Sequence, residues 1–202
     1  MAHELAILQA ARMKGRLSPD LAAASAGVDV NTAKGELDAL RAAGHVKGDA
    51  SVRLTPEGKQ RLAVLVAAER GETDQQALSS LYEEFDDHNT RLKQIITDWQ
   101  MKDGQPNDHT DAAYDGGVID RLAALHDEFA PLVDRASATA PRLTTYSTRF
   151  AHAIEQLKAG DTSFVARPIA DSYHTVWFEF HEELIGLLGL SREEEAAAGR
   201  AV

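Results

Sequence analysis

The spacing of apolar positions divides the chain into short helical pieces followed by long ones. Leu5, Ile7, Leu8 and Ala11 recur at helical intervals over residues 3–14, and Gly15 stops the run. Ser18-Pro19-Asp20 then offers an N-cap, a proline at the first helical position and an acid at the positive helix end. That helix runs to about Ala26, and Gly27 closes it. Asp29 caps a third helix, with Val28 placed to staple against Ala33. Ala33, Leu37 and Leu40 form its inner face; Asn31, Thr32, Lys34, Gly35, Asp38 and Arg41 form the outer one, and Gly44 ends it. Val46-Lys47-Gly48, Asp49-Ala50-Ser51 and Val52-Arg53-Leu54 predict a small β-hairpin. Thr55-Pro56-Glu57-Gly58 opens a fourth helix with Leu62, Leu65 and Val66 inside.

Beyond Gly71-Glu72-Thr73, which reads as a break with Thr73 and Gln76 at capping-box spacing, the periods lengthen. Leu78, Leu81, Phe85, Leu92, Ile95 and Trp99 alternate by three and four along a helix from about Asp74 to Lys102, with His88 on the missing beat. Asp103-Gly104-Gln105-Pro106 ends that helix, and residues 107–115 read as a polar loop. A second long helix uses Val118, Leu122, Leu125 and Phe129, with Pro131 as a kink. A third uses Leu143, Tyr146, Phe150, Ile154 and Leu157. A fourth starts near Pro168 and uses Ile169, Tyr173, Val176, Phe180, Leu184 and Leu187, and Ser191 and Glu194 cap a last short one. No strand is expected after residue 55. The predicted fold is mainly α: a winged helix-turn-helix with a two-stranded wing over residues 1–71, then an all-helical, bundle-like module over 72–202.

Charge separates the same two halves. Residues 1–60 hold eight Lys/Arg and seven Asp/Glu, whereas the whole chain carries a net charge of −11, so the acidity belongs to the second half. Any contact with a polyanion must come from the first. Cysteine is absent, which excludes disulfides and thiolate chemistry and fits a cytoplasmic setting. No run has the length of a membrane span or the form of a signal peptide, so no membrane partner is expected.

HVKGDASVRLTPEGKQRLAVL, with its hairpin and its LTPEG, resembles the MarR family and the related PadR-type regulators over about residues 4–70. The resemblance implies a bacterial transcription factor acting on double-stranded DNA, usually as a homodimer, with the third helix in the major groove. Carried over by position, Asn31, Thr32, Lys34 and Arg41 on that helix, and Arg53 on the wing, are the DNA-binding candidates.

The second module concentrates residues able to do chemistry: His88, Asp98, Trp99, Asp108, His109, Asp171, Tyr173, His174, Trp177 and His181. Aromatic walls with a few orienting polar groups suit a pocket for a small-molecule effector. Two other uses stay open: a metal site from His109, His174, His181 and Asp171, or acid–base chemistry by His174 with Asp98 or Asp108. Glu-x-x-His pairs, a phosphate loop and a nucleophile elbow are all missing from the sequence, so neither an enzyme nor a cofactor is expected. The remaining alternative is an interaction module whose winged helix binds a protein.

Overall fold

A computed structural model of the chain describes residues 3–168, 170–191 and 195. It is mainly helical and divides into two compact units, Met1–Thr73 and Asp74–Val202. Among the described residues no helix is long and apolar enough to cross a membrane.

The first unit contains α1 (Glu4–Lys14), α2 (Pro19–Ala26), α3 (Val30–Ala42), a hairpin of β1 (Val46–Lys47) and β2 (Arg53–Leu54), and α4 (Pro56–Glu72). The caps form where the sequence puts them: Ser18 accepts from Leu21 N, Asp29 from Asn31 N and Thr32 N, and Thr55 from Gly58 N. Leu17 pairs with Val52 through two 2.9 Å backbone hydrogen bonds, so the stretch before α2 lies alongside the hairpin as a third, one-residue rung. Ile7, Leu8, Leu17, Leu40, Val46, Val52 and Leu62 centre a core that contains no aromatic side chain. Glu4 is buried at the start of α1 and takes two hydrogen bonds, 2.9 and 2.8 Å, from Arg61 of α4. That partner holds its carboxyl below the usual carboxylate range against the opposing effect of burial.

The LTPEG segment is a joint. Thr55 donates its hydroxyl to Gly44 O at 2.6 Å and its backbone N–H to His45 O at 3.0 Å. The first turn of α4 therefore lies directly on the turn after α3. A Cβ on Gly58 would stand 1.9 Å from His45 O, so only glycine fits.

The second unit is built on α5 (Gln75–Gln100), α6 (Ala112–Thr139), α7 (Thr144–Lys158) and α8 (Tyr173–Leu188). Helix α5 packs on α6 and α8, and α7 packs on the same two, closing a four-helix ring. Its core is aromatic: Phe129 and Trp177 lie 4.2 Å apart between ring centroids, and Phe85, Phe150, Phe180 and Tyr173 surround them.

Several expectations need correction. The cap of α5 is Asp74, which accepts from Gln76 N and Ala77 N, while Thr73 turns its hydroxyl back to Glu69 O; α4 runs through Gly71. A second hairpin follows α5, with β3 (Met101–Lys102) antiparallel to β4 (Gln105–Pro106). Asp103 and Gly104 form its two-residue turn, with φ of 52° and 75°, the left-handed pair that such tight hairpins require. Asp111 caps α6 four residues earlier than the expected loop end, and α6 continues through Pro131. Ser172 caps α8, which starts five residues after Pro168. Ile169 and Glu194 lie outside the described residues.

Candidate functional site

In the first unit, α3 turns Asn31, Thr32, Lys34, Gly35 and Asp38 to solvent. Gly35 is mid-helix with open space where a Cβ would be, so packing gives no reason for a residue that costs a helix about 1 kcal/mol. Thr32 is partly committed: its hydroxyl donates to Asp29 at 2.5 Å. Arg41 has a different task from the one expected. Its guanidinium donates to Gly48 O at 2.9 Å and pairs with Asp38 at 2.5 Å, bracing the hairpin against α3. The hairpin supplies other cations. Lys47 and Arg53 are register partners, and the Leu17–Val52 pairing sets Arg16 opposite Arg53 on the other side. Side chains alternate along a strand, so Val46, Val52 and Leu17 face the core while Lys47, Arg53 and Arg16 line the outer face in a row. None of the three makes an ion pair with a described residue. A shallow depression of about 310 Å³ between α3 and the hairpin is lined by Lys34, Leu37, Asp38, Arg41, Asp49 and Val52 among others.

In the second unit the ten selected residues do not share one site. Trp177 and Tyr173 belong to the aromatic core. Trp177 Nε1 donates to Asn89 Oδ1 at 3.0 Å, and Tyr173 Oη lies 3.4 Å from His126 Nδ1. His181 is buried with Nε2 2.9 Å from Tyr82 Oη. That hydroxyl gives its one proton to Glu195 at 2.6 Å, so His181 is the donor to the tyrosine oxygen. Asp171 takes two hydrogen bonds from Arg149, which also reaches Glu179 at 2.6 Å. Burial opposes the charge of Arg149, but Glu179 and Asp171 outweigh it and hold the guanidinium ionised. His174 and His88 are partly buried, and desolvation pushes both imidazoles below their usual value, helped at His88 by Arg91. Asp98 is bound by Arg121 at 2.6 Å and Gln94 at 2.7 Å, which lower its carboxyl. Asp108 accepts from Thr110 N and Oγ1 and shapes a turn. The expected pairing of His174 with Asp98 or Asp108 is not formed. Among the described residues no three His, Cys, Asp or Glu side chains converge to hold a metal ion.

Beside the second hairpin, away from the aromatic core, two more of the ten meet. Trp99, at the end of α5, and His109, after β4, have ring centroids 4.3 Å apart. His109 Nδ1 lies 3.0 Å from Asp115 Oδ2 on the first turn of α6, and Asn107 Nδ2 donates to Asp115 Oδ1 at 2.8 Å and Trp99 O at 3.1 Å. Asn107 Oδ1 also accepts from His109 N at 3.2 Å, which helps hold the histidine backbone at φ 58°. That left-handed conformation costs a side-chain-bearing residue roughly 1–2 kcal/mol. His109 Nδ1 also lies 3.3 Å from Asn107 Nδ2, and Nε2 has no hydrogen-bond partner among the described residues. His109 and Trp99 line an open pocket of about 530 Å³ with Gln100, Thr162, Ser163, Ala166 and Arg167.

Sequence reading missed Ser163 and Arg167 at this pocket and Asp115 behind His109. The Asp103-Gly104 pair was the available signal, because the hairpin it makes turns the polar stretch back onto the end of α5. No protein family, curated protein or solved structure significantly similar to the chain is found.

Proposed function

We propose that the first unit is a winged helix-turn-helix that binds double-stranded DNA, and that the chain is a transcriptional regulator acting as a homodimer. In this reading α3 enters the major groove and the outer face of the first hairpin lies along the adjoining phosphate backbone. The observation that carries it is the row of Lys47, Arg53 and Arg16, three unpaired cations on one exposed strand face of a chain whose net charge is −11. Gly35 supports it, since a bare helix face admits close approach by a partner. Arg41 serves the hairpin rather than the DNA, and Asn31 and Lys34 remain as the readers. The second unit dimerises the chain and senses a small molecule, coupling the two by favouring one spacing of the α3 helices.

The test is binding of the purified protein to its own upstream DNA, titrated against salt. Each lost phosphate contact lowers the slope of log affinity on log salt by about 0.9, so Arg16→Ala/Lys47→Ala/Arg53→Ala together remove about 2–3 from it. Gly35→Ala weakens the complex while making the free protein more stable. An unchanged slope in the triple variant refutes the assignment. No binding at low salt turns the surface into a docking site for a protein.

A further inference from the structure

Asn31, Lys34, Gly35 and Asp38 recur at three- and four-residue intervals, so they form one stripe along the exposed side of α3, opposite the buried Ala33, Leu37 and Leu40. An acid in that stripe works against contact with a polyanion unless it has a task there. An exposed ion pair three residues apart adds little to a helix, so stability is a weak reason for it. The surroundings of Asp38 are specific. Arg41 forks: its Nε donates to Gly48 O at 2.9 Å, and its Nη1 donates to Asp38 Oδ1 at 2.5 Å. The hairpin therefore fixes the guanidinium, and the guanidinium fixes the carboxylate. Asp38 Oδ2 has no partner among the described residues, and the side chain is 73% exposed. Gly35, one turn earlier on the same stripe, has open space where a Cβ would stand. A short acid reaches a groove floor only where the helix backbone comes close, and a bare position beside it permits that approach.

We infer that Asp38 determines base specificity: its Oδ2 accepts a hydrogen bond from the exocyclic amino group of a cytosine in the major groove, and Arg41 is the positioning residue that aims it. The inference rests on the proposal that α3 enters that groove. The base follows from chemistry. An ionised carboxylate only accepts. Cytosine shows its N4 amino donor in the major groove, whereas guanine shows two acceptors and thymine an acceptor beside a methyl group. Adenine sets its N7 acceptor next to its amino group, and that lone pair repels a carboxylate. The pair with Arg41 carries no net charge, which limits repulsion by the phosphates. Four residues of helix, roughly 6 Å, separate Asp38 from Lys34. At about 3.4 Å per base pair, the cytosine lies about two base pairs from the position assigned to Lys34.

The test is selection from a random pool of double-stranded DNA, made with the full chain and with its variants. The wild type enriches a motif with a fixed cytosine, and changing that cytosine to thymine or guanine weakens binding by about tenfold or more. Asp38→Asn keeps an oxygen for Arg41 but adds an amide donor. The position therefore switches to adenine, whose N6 amino group and N7 match a carboxamide. Asp38→Ala loses selection at that position and keeps it at the others. Arg41→Met weakens the cytosine preference without installing a new base. Asp38 is exposed, so its variants keep the wild-type fold by circular dichroism. A motif that Asp38→Asn and Asp38→Ala enrich unchanged overturns the inference while leaving DNA reading by α3 intact. No enrichment by the wild type at low salt overturns the proposed regulator, and this inference with it.

Discussion

Replacing Gly58 by alanine tests the account of the LTPEG joint. The added Cβ would lie 1.9 Å from His45 O and 2.8 Å from His45 C, whereas such contacts essentially never fall under 3.0 Å. The two backbones must therefore separate by roughly 1 Å. That opening stretches the 3.0 Å bond from Thr55 N to His45 O beyond useful range and loosens the 2.6 Å bond from Thr55 Oγ1 to Gly44 O. Overpacking of this kind costs about 1–3 kcal/mol and each lost hydrogen bond about 1 kcal/mol. Alanine returns about 0.4–1 kcal/mol through the unfolded chain, which leaves a net loss of about 2–3 kcal/mol. In a unit of this size that lowers the melting temperature by about 10–20 °C. The two units can be followed separately because every Phe, Tyr and Trp of the chain lies at or beyond Tyr82. Aromatic fluorescence reports the second unit alone, whereas far-UV circular dichroism reports both. Gly58→Ala should shift the dichroism transition of the first unit and leave the fluorescence transition in place. Gly35→Ala, with open space around its new Cβ, is the matched control and should stabilise by about 1 kcal/mol. A Gly58→Ala transition within about 2 °C of the wild type would refute the steric reasoning.

Further predictions concern the second unit. Arg149→Met leaves Glu179 and Asp171 without the cation between them and should cost about 3–5 kcal/mol in urea unfolding followed by tryptophan fluorescence, a penalty that Arg149→Met/Glu179→Met should largely relieve. A single-variant loss under about 1 kcal/mol would show the ion cluster to be incidental. Asn89→Ala strands the buried Trp177 indole N–H and should cost about 1–3 kcal/mol, read by the same assay together with a shift of the tryptophan emission. His88, His126 and His174 all have imidazoles held below the ordinary value of 6.5 by burial. The unfolded chain therefore takes up these protons first, so their stabilising effect is complete above that value and declines as pH falls through it towards the folded values. The fluorescence midpoint should fall on acidification from about pH 7 to about pH 5, and a midpoint flat across that interval would contradict the burial of these rings.

Local chemistry made much of the first unit legible. Ser18, Asp29 and Thr55 each cap the helix they precede, because capping depends only on residues two or three positions away. What sequence hid was set by pairing at a distance. Arg16 joins Lys47 and Arg53 only because Leu17 bonds to Val52, and nothing in the sequence around Arg16 announces that rung. The aromatic and histidine residues of the second unit read as one cluster because they crowd a few stretches of chain. Helical rotation sends Trp177 inward to Asn89 and His181 to Tyr82, while Asp171, in the turn before α8, meets Arg149. Asn89 is fully buried where the apolar seam pointed instead to His88, since hydrophobic spacing cannot reveal a polar residue kept inside by an indole. The second hairpin was written in Asp103-Gly104, but the short strands flanking that pair carry no alternation long enough to be recognised.

The bracing of the first hairpin by Arg41 bears on how this surface meets anything. A protruding loop of glycine and small polar residues would ordinarily sample many orientations, and a partner would have to arrest it. Here a guanidinium on α3 donates to the carbonyl of Gly48 at 2.9 Å and fixes the direction in which the loop leaves the helix. On the proposed reading, helix and hairpin would meet DNA as a single template with one set angle between them. The loss of freedom is taken when the chain folds, not when it binds. The selectivity of the proposed interface would then reside in the fixed distance between α3 and the cationic strand face.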